Sequence, residues 1–138
     1  MTLESPPIVT TSGLCRLQLR AEPAQFGAVR RIVSAYLRLW GRTGLIDSAV
    51  VCVTEILANV HRHVNPSECE LVLENMPEGV RAAVRDQSSV LPVVVEGENW
   101  LGESGRGMFI VANTADLWGT SPVEGGGKQV WVLLREGA

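Results

Sequence analysis

Glu55 and Asn59 stand one helical turn apart in the stretch Glu55-Ile-Leu-Ala-Asn59. At about 100° per residue, a helix carries both on one side. A carboxylate oxygen beside an amide oxygen is a hard ligand pair suited to Mg2+, a cation that keeps several waters and also takes phosphate oxygens. Glu55 alone is a candidate base for a hydroxyl or a water brought within hydrogen-bond reach. The plain alternative is a solvated surface pair, the default for polar residues at this spacing.

The surrounding helix argues against that default. Ile46, Val50, Val53, Leu57, Val60 and Val64 fall within about 40° of one line and form the stripe expected to face a sheet. Val51, Cys52 and Ile56 lie off that stripe, so a second face is expected to be covered as well. A Glu and an Asn on a covered face need partners. The helix is expected to start at Asp47 or a neighbour and to run to about Val64, where Asn65-Pro66 stops it.

Other elements must position this helix. Cys15, Leu17 and Leu19 alternate with polar residues from Leu14 to Arg20, a half-buried strand. Glu22-Pro23 opens a helix in which Phe26, Val29, Ile32, Val33, Tyr36, Leu37 and Trp40 recur at three- and four-residue spacing, with Gly41 and Gly44 marking its end. Leu71 and Leu73, then Val80, Ala82 and Val84, read as a hairpin turning at Pro77-Glu78-Gly79. Gly105 to about Thr114 reads as a helix. Leu117–Thr120 and Gln129–Leu134 read as closing strands around Gly125-Gly126-Gly127.

The connection from Asp86 to Ser104 is long for a passive loop and points to a functional segment, with a short strand possible at Val93–Val95. Residues 1–13 lack periodicity and are expected to be a flexible lead-in to one domain at 14–135. The pattern specifies an α+β fold: a two-layer sandwich with helices on one face of a mixed, mostly antiparallel sheet.

Composition bounds the rest. The chain has 138 residues, 46% of them hydrophobic and 20% charged, with a formal net charge of -3, the profile of an ordinary globular domain. Basic residues are scattered, which disfavours direct nucleic-acid binding. Neither a signal-like start nor a stretch of membrane-spanning length is evident, so a cytoplasmic location without membrane contact is expected. Cys15, Cys52 and Cys69 share no ligand spacing and read as buried thiols.

Four segments occur in an order that resembles a known family: Glu55-Ile-Leu-Ala-Asn59, Asp86-Gln-Ser88, Glu103-Ser-Gly105-Arg-Gly107 and Gly127-Lys-Gln129-Val-Trp131. They resemble the N, G1, G2 and G3 boxes of GHKL ATPases, in particular the small anti-sigma-factor serine kinases. The resemblance covers roughly residues 14–135. It implies a Bergerat fold, with Glu55 as catalytic base and Asn59 holding Mg2+ and, through it, the phosphates of ATP. It further implies that His63, Asp86, Ser88, Gly105, Arg106, Gly107, Met108 and Gln129 belong to the ATP site, with Asp86 accepting from the adenine amino group. Gln129 stands where the kinases usually place a threonine that supports the base. Gly105 and Gly107 also make independent sense, since glycine admits phosphates to a helix N-terminus, although a simple turn before a helix has the same composition.

The resemblance implies an anti-sigma factor with serine-protein kinase activity that sequesters a sigma factor, phosphorylates a STAS-domain antagonist and forms a homodimer. The alternative from another class is an anti-sigma binding module on the same fold, with weak or no ATP binding and no kinase activity. A sensor histidine kinase fragment would share the ATP fold, but the chain ahead of residue 14 lacks the helix that carries the phospho-accepting histidine.

Overall fold

A computed structural model describes residues 8–11, 13–88 and 106–137. In chain order the elements are β1 (Ile8–Thr11), β2 (Leu14–Arg20), α1 (Pro23–Leu39), a single 3-10 turn at Thr43–Leu45, α2 (Ile46–His63), β3 (Glu68–Met76), β4 (Gly79–Asp86), α3 (Arg106–Thr114), β5 (Leu117–Pro122) and β6 (Lys128–Arg135). The strands form one sheet in the order β1-β2-β3-β4-β6-β5. Every pairing is antiparallel, where a mixed, mostly antiparallel sheet was expected. A further difference is β1, which lies within the segment expected to be a lead-in and turns into β2 through Gly13 at φ +77°.

The alternation in the strands sorts the two faces. Cys15 and Leu17 of β2, Leu71 and Leu73 of β3, Val80, Ala82 and Val84 of β4, and Val130, Val132 and Leu134 of β6 are buried in one core with the helices. Val29, Val33 and Leu37 of α1 and Val53, Leu57 and Val60 of α2 close that core from the other side. The result is the expected α+β two-layer sandwich, with one face of the sheet covered by helices.

The opposite face carries a polar ladder. Gln18, Glu70, Arg85, Gln129 and Ser121 are register partners in sequence across β2, β3, β4, β6 and β5. Gln18 Nε2 donates to Glu70 Oε2 at 3.0 Å, and Arg85 Nη1 lies 3.6 Å from Glu70 Oε1. Arg85 Nε donates to Gln129 Oε1 at 2.8 Å. One row further along, the Trp131 indole lies over Gly119, where a Cβ would fall 2.7 Å from the ring.

Helix α1 ends in a Schellman arrangement. Gly41 takes φ +73°, its N–H donates to Arg38 O at 3.0 Å, and Arg42 N–H donates to Leu37 O at 2.7 Å, so the last carbonyls of the helix are satisfied. The chain then enters α2, the central helix, flanked by both α1 and α3. Cys52 and Ile56 are buried, so the second face is covered as expected, whereas Val51 is 39% exposed. The stretch Thr43–His63 has the length and hydropathy of a membrane span, with a mean of 1.5, contrary to the expectation that none would. Its apolar residues are those that build the core between sheet and helices.

Candidate functional site

Glu55 and Asn59 are both half-buried on α2. The first turn of α3 sits directly on Glu55: a Cβ at Gly107 would lie 2.9 Å from Glu55 Oε1 and 3.6 Å from its backbone oxygen. Glycine at 107 therefore lets the helix start against the carboxylate. The first N–H groups of a helix have no partner within it and carry the positive end of its dipole. Glu55 and a helix N-terminus thus share one place, and Asn59 follows one turn along α2. Glu55 also raises the pKa of Cys52, secondarily to burial, which pushes that thiol up to about 12.

The second part of the site lies at the end of the β4–β6 ladder. Asp86 closes β4, Lys128 opens β6, and the two are register partners on the core side of the sheet. Cys69 pairs with Asp86 from β3 and completes the row. Asp86 and Lys128 are the buried charged residues among those described. Lys128 Nζ donates to Asp86 Oδ1 at 3.0 Å and lies 2.9 Å from Oδ2. The backbone N–H of Ser88 donates to the same Oδ1 at 2.8 Å. Oδ2 is buried without a hydrogen bond, so its contact with Lys128 is a charge contact only.

Local sequence explains this approach. Gly125, Gly126 and Gly127 all take positive φ, a region in which side chains are strained. At Gly127 a Cβ would collide with the Asp86 carbonyl, 2.2 Å away. The glycine run lets the chain return tightly against β4, which sets Lys128 opposite Asp86.

Glu55 and Gly107 meet at the α2–α3 junction, with Asn59 one turn further along α2. Asp86 and Ser88 come together at the end of β4. Arg106 is exposed at the start of α3, and Met108 is buried in the core, 1% exposed, so its side chain serves packing. His63 is exposed in the last turn of α2, beside a surface groove that it shares with Glu22, Asn65 and Ser67. Gly105, most of the long connection expected from Asp86 to Ser104, and the strand expected at Val93–Val95 lie outside the described residues.

Gln129 is not brought to the site. Its side chain points to the polar face and is held by Arg85. The residue that shares a face with Asp86 is Lys128, which the sequence reading passed over. Strand parity carried the signal: Val130 and Val132 face the core, and alternation puts Lys128 with them. Trp131 and Leu133 on the other parity made β6 look apolar on both sides and hid the direction of the alternation.

The arrangement suits a nucleotide in two respects. Oδ2 of Asp86 is a buried acceptor with hydrogen-bonding capacity unspent, a state that calls for a donor. Gly107 opens a helix N-terminus beside Glu55, and such termini accept phosphate. With this geometry in view, the family comparison is direct: residues 19–134 match the histidine kinase-like ATPase domain. The chain belongs to that family, whose domain contains every described site residue named above. A search of curated proteins gave no match.

Proposed function

We propose that this domain is an anti-sigma factor with serine-protein kinase activity, one that binds Mg-ATP, sequesters a sigma factor and phosphorylates a STAS-domain antagonist. The observation that carries the proposal is the meeting of Glu55 with the start of α3 at Gly107, one turn from Asn59. Phosphoryl transfer needs positioning and charge stabilisation more than covalent chemistry. Glu55 supplies a carboxylate to orient and deprotonate a serine hydroxyl. Asn59 supplies a neutral oxygen ligand to Mg2+, and the first turn of α3 supplies N–H groups to phosphate.

ATP, when bound, supplies the transferable phosphoryl group; Asp86 would hold its base through Oδ2. Among the described residues no three His, Cys, Asp or Glu side chains cluster as a metal site. A Mg2+ here would depend on Asn59, water and the phosphates. A cytoplasmic, homodimeric protein is part of the same proposal.

The test is ATP-dependent labelling of a STAS-domain antagonist by the purified chain, with Mg-ATP calorimetry alongside. Labelling is expected for the unmodified chain and lost in Glu55→Ala and Asn59→Ala. Calorimetric heat with no labelling would favour a nucleotide-regulated binding module. No heat and no thermal shift at millimolar Mg-ATP would reject nucleotide function altogether.

A further inference from the structure

We propose that Lys128 determines the base selectivity of this site, favouring 6-aminopurine over 6-oxopurine nucleotides by fixing the orientation of the Asp86 carboxylate. The inference rests on the nucleotide-binding reading of the site and concerns a residue to which neither the resemblance nor the family match gives a role.

Three observations carry it. First, the Lys128 ammonium spans both carboxylate oxygens of Asp86, at 3.0 Å and 2.9 Å, with both side chains buried. Second, Ser88 N–H and Lys128 Nζ both direct their hydrogen bonds to Oδ1, which leaves Oδ2 with its charge contact to Lys128 and no hydrogen bond. Third, Gly127 and the register of β6 fix the lysine backbone opposite Asp86, so the ammonium is seated at the end of the β4–β6 ladder and is not a roaming surface charge.

A carboxylate oxygen has lone pairs to offer and no proton to give. Lys128 pairs with this buried carboxylate and holds it in one orientation, so Oδ2 is an acceptor fixed in place. An exocyclic amino group satisfies such an atom. A carbonyl oxygen facing it meets repulsion and leaves a buried acceptor unpaired.

Without Lys128 the carboxylate loses the contact that holds its two oxygens in place, so no fixed acceptor faces the 6-position and the discrimination collapses. Lys128 is thus a positioning residue: it acts on the base through Asp86. A merely structural lysine would weaken all nucleotides alike.

The experiment is calorimetric titration of the full chain with the magnesium salts of ATP and inosine triphosphate, which differ at the 6-position. The unmodified chain is expected to bind ATP at least about tenfold more tightly, the scale of one buried polar mismatch. Lys128→Met is expected to bring the two affinities within about threefold, and Lys128→Arg to restore the difference. Because Lys128→Met strands a buried charge, Asp86→Asn/Lys128→Met is run beside it. That pair carries no charge, and its amide presents either an acceptor or a donor, so the ratio is again expected near unity.

Equal weakening of both triphosphates in the variants, with the ratio kept, overturns the proposal and leaves the nucleotide reading intact. So does an unmodified chain that binds inosine triphosphate as well as ATP. An unmodified chain that binds neither overturns the nucleotide reading and this inference together.

Discussion

Oε1 of Glu55 rests against Gly107, so close that a Cβ on residue 107 would lie 2.9 Å from it. The obstacle is the end of a flexible side chain, and alanine is the better helix former. Gly107→Ala is therefore expected to fold with a stability change under about 1 kcal/mol while turning the carboxylate away from its position. Phosphoryl transfer should fall by about a hundredfold, the scale of a one-ångström misplacement, with nucleotide affinity nearly unchanged. Transfer at the unmodified rate would show that Glu55 does not need this contact.

The Asp86–Lys128 pair makes a stability prediction separate from its role toward a base. Removing one partner strands a buried charge, and Lys128→Met is expected to cost about 3–5 kcal/mol. Replacing both partners by neutral residues of similar shape, as in Asp86→Asn/Lys128→Met, should recover most of that loss. Urea denaturation of the two variants checks it; equal losses in both would mean that packing, not charge, dominates here.

Gln129 gives a negative control. Gln129→Thr deletes the acceptor for Arg85 Nε on the polar face of the sheet and should cost about 0.5–1.5 kcal/mol, the worth of a typical hydrogen bond. Mg-ATP affinity should stay within about twofold, since the side chain points away from Asp86. A large change in affinity with unchanged stability would put Gln129 back into the site.

The cysteines set an alkaline limit. Burial, with a smaller contribution from Glu55, pushes the Cys52 thiol up to about 12, and burial with a smaller contribution from Asp86 does the same for Cys69. The folded pKa lies above the ordinary 9.0, so their contribution to stability is fully present below about pH 9 and is lost as pH rises towards 12. Thermal melts from pH 8 to 11 should show this decline. The native chain should also resist thiol reagents at pH 8 until it unfolds; rapid labelling in the folded state would contradict the burial of both residues.

Much of this architecture was legible in the sequence because it rests on short-range rules. Pro23 and Gly41 bracket α1, Asn65-Pro66 stops α2, and alternation in Leu14–Arg20 and Val80–Val84 sets strands with one face in the core. Glu55 and Asn59 share a side of α2 by spacing alone. What the sequence hid depended on partners distant in the chain. The direction of β6 is decided by its register with β4, and only that register sends Gln129 outward and Lys128 inward. The N-terminal strand has weak alternation of its own and is set by pairing with β2. The all-antiparallel sheet likewise follows from β4 and β6 being neighbours across a long insertion.

That insertion leaves β4 at Asp86 and rejoins β6 at Lys128, 42 positions later, so the ion pair lies at the throat of a single excursion. α3 and β5 are contained within it, while β1 to β4 and β6 are framed outside. Seen as a part for protein engineering, the excursion leaves and re-enters the sheet at two adjacent points, so the path of the other five strands does not thread through it.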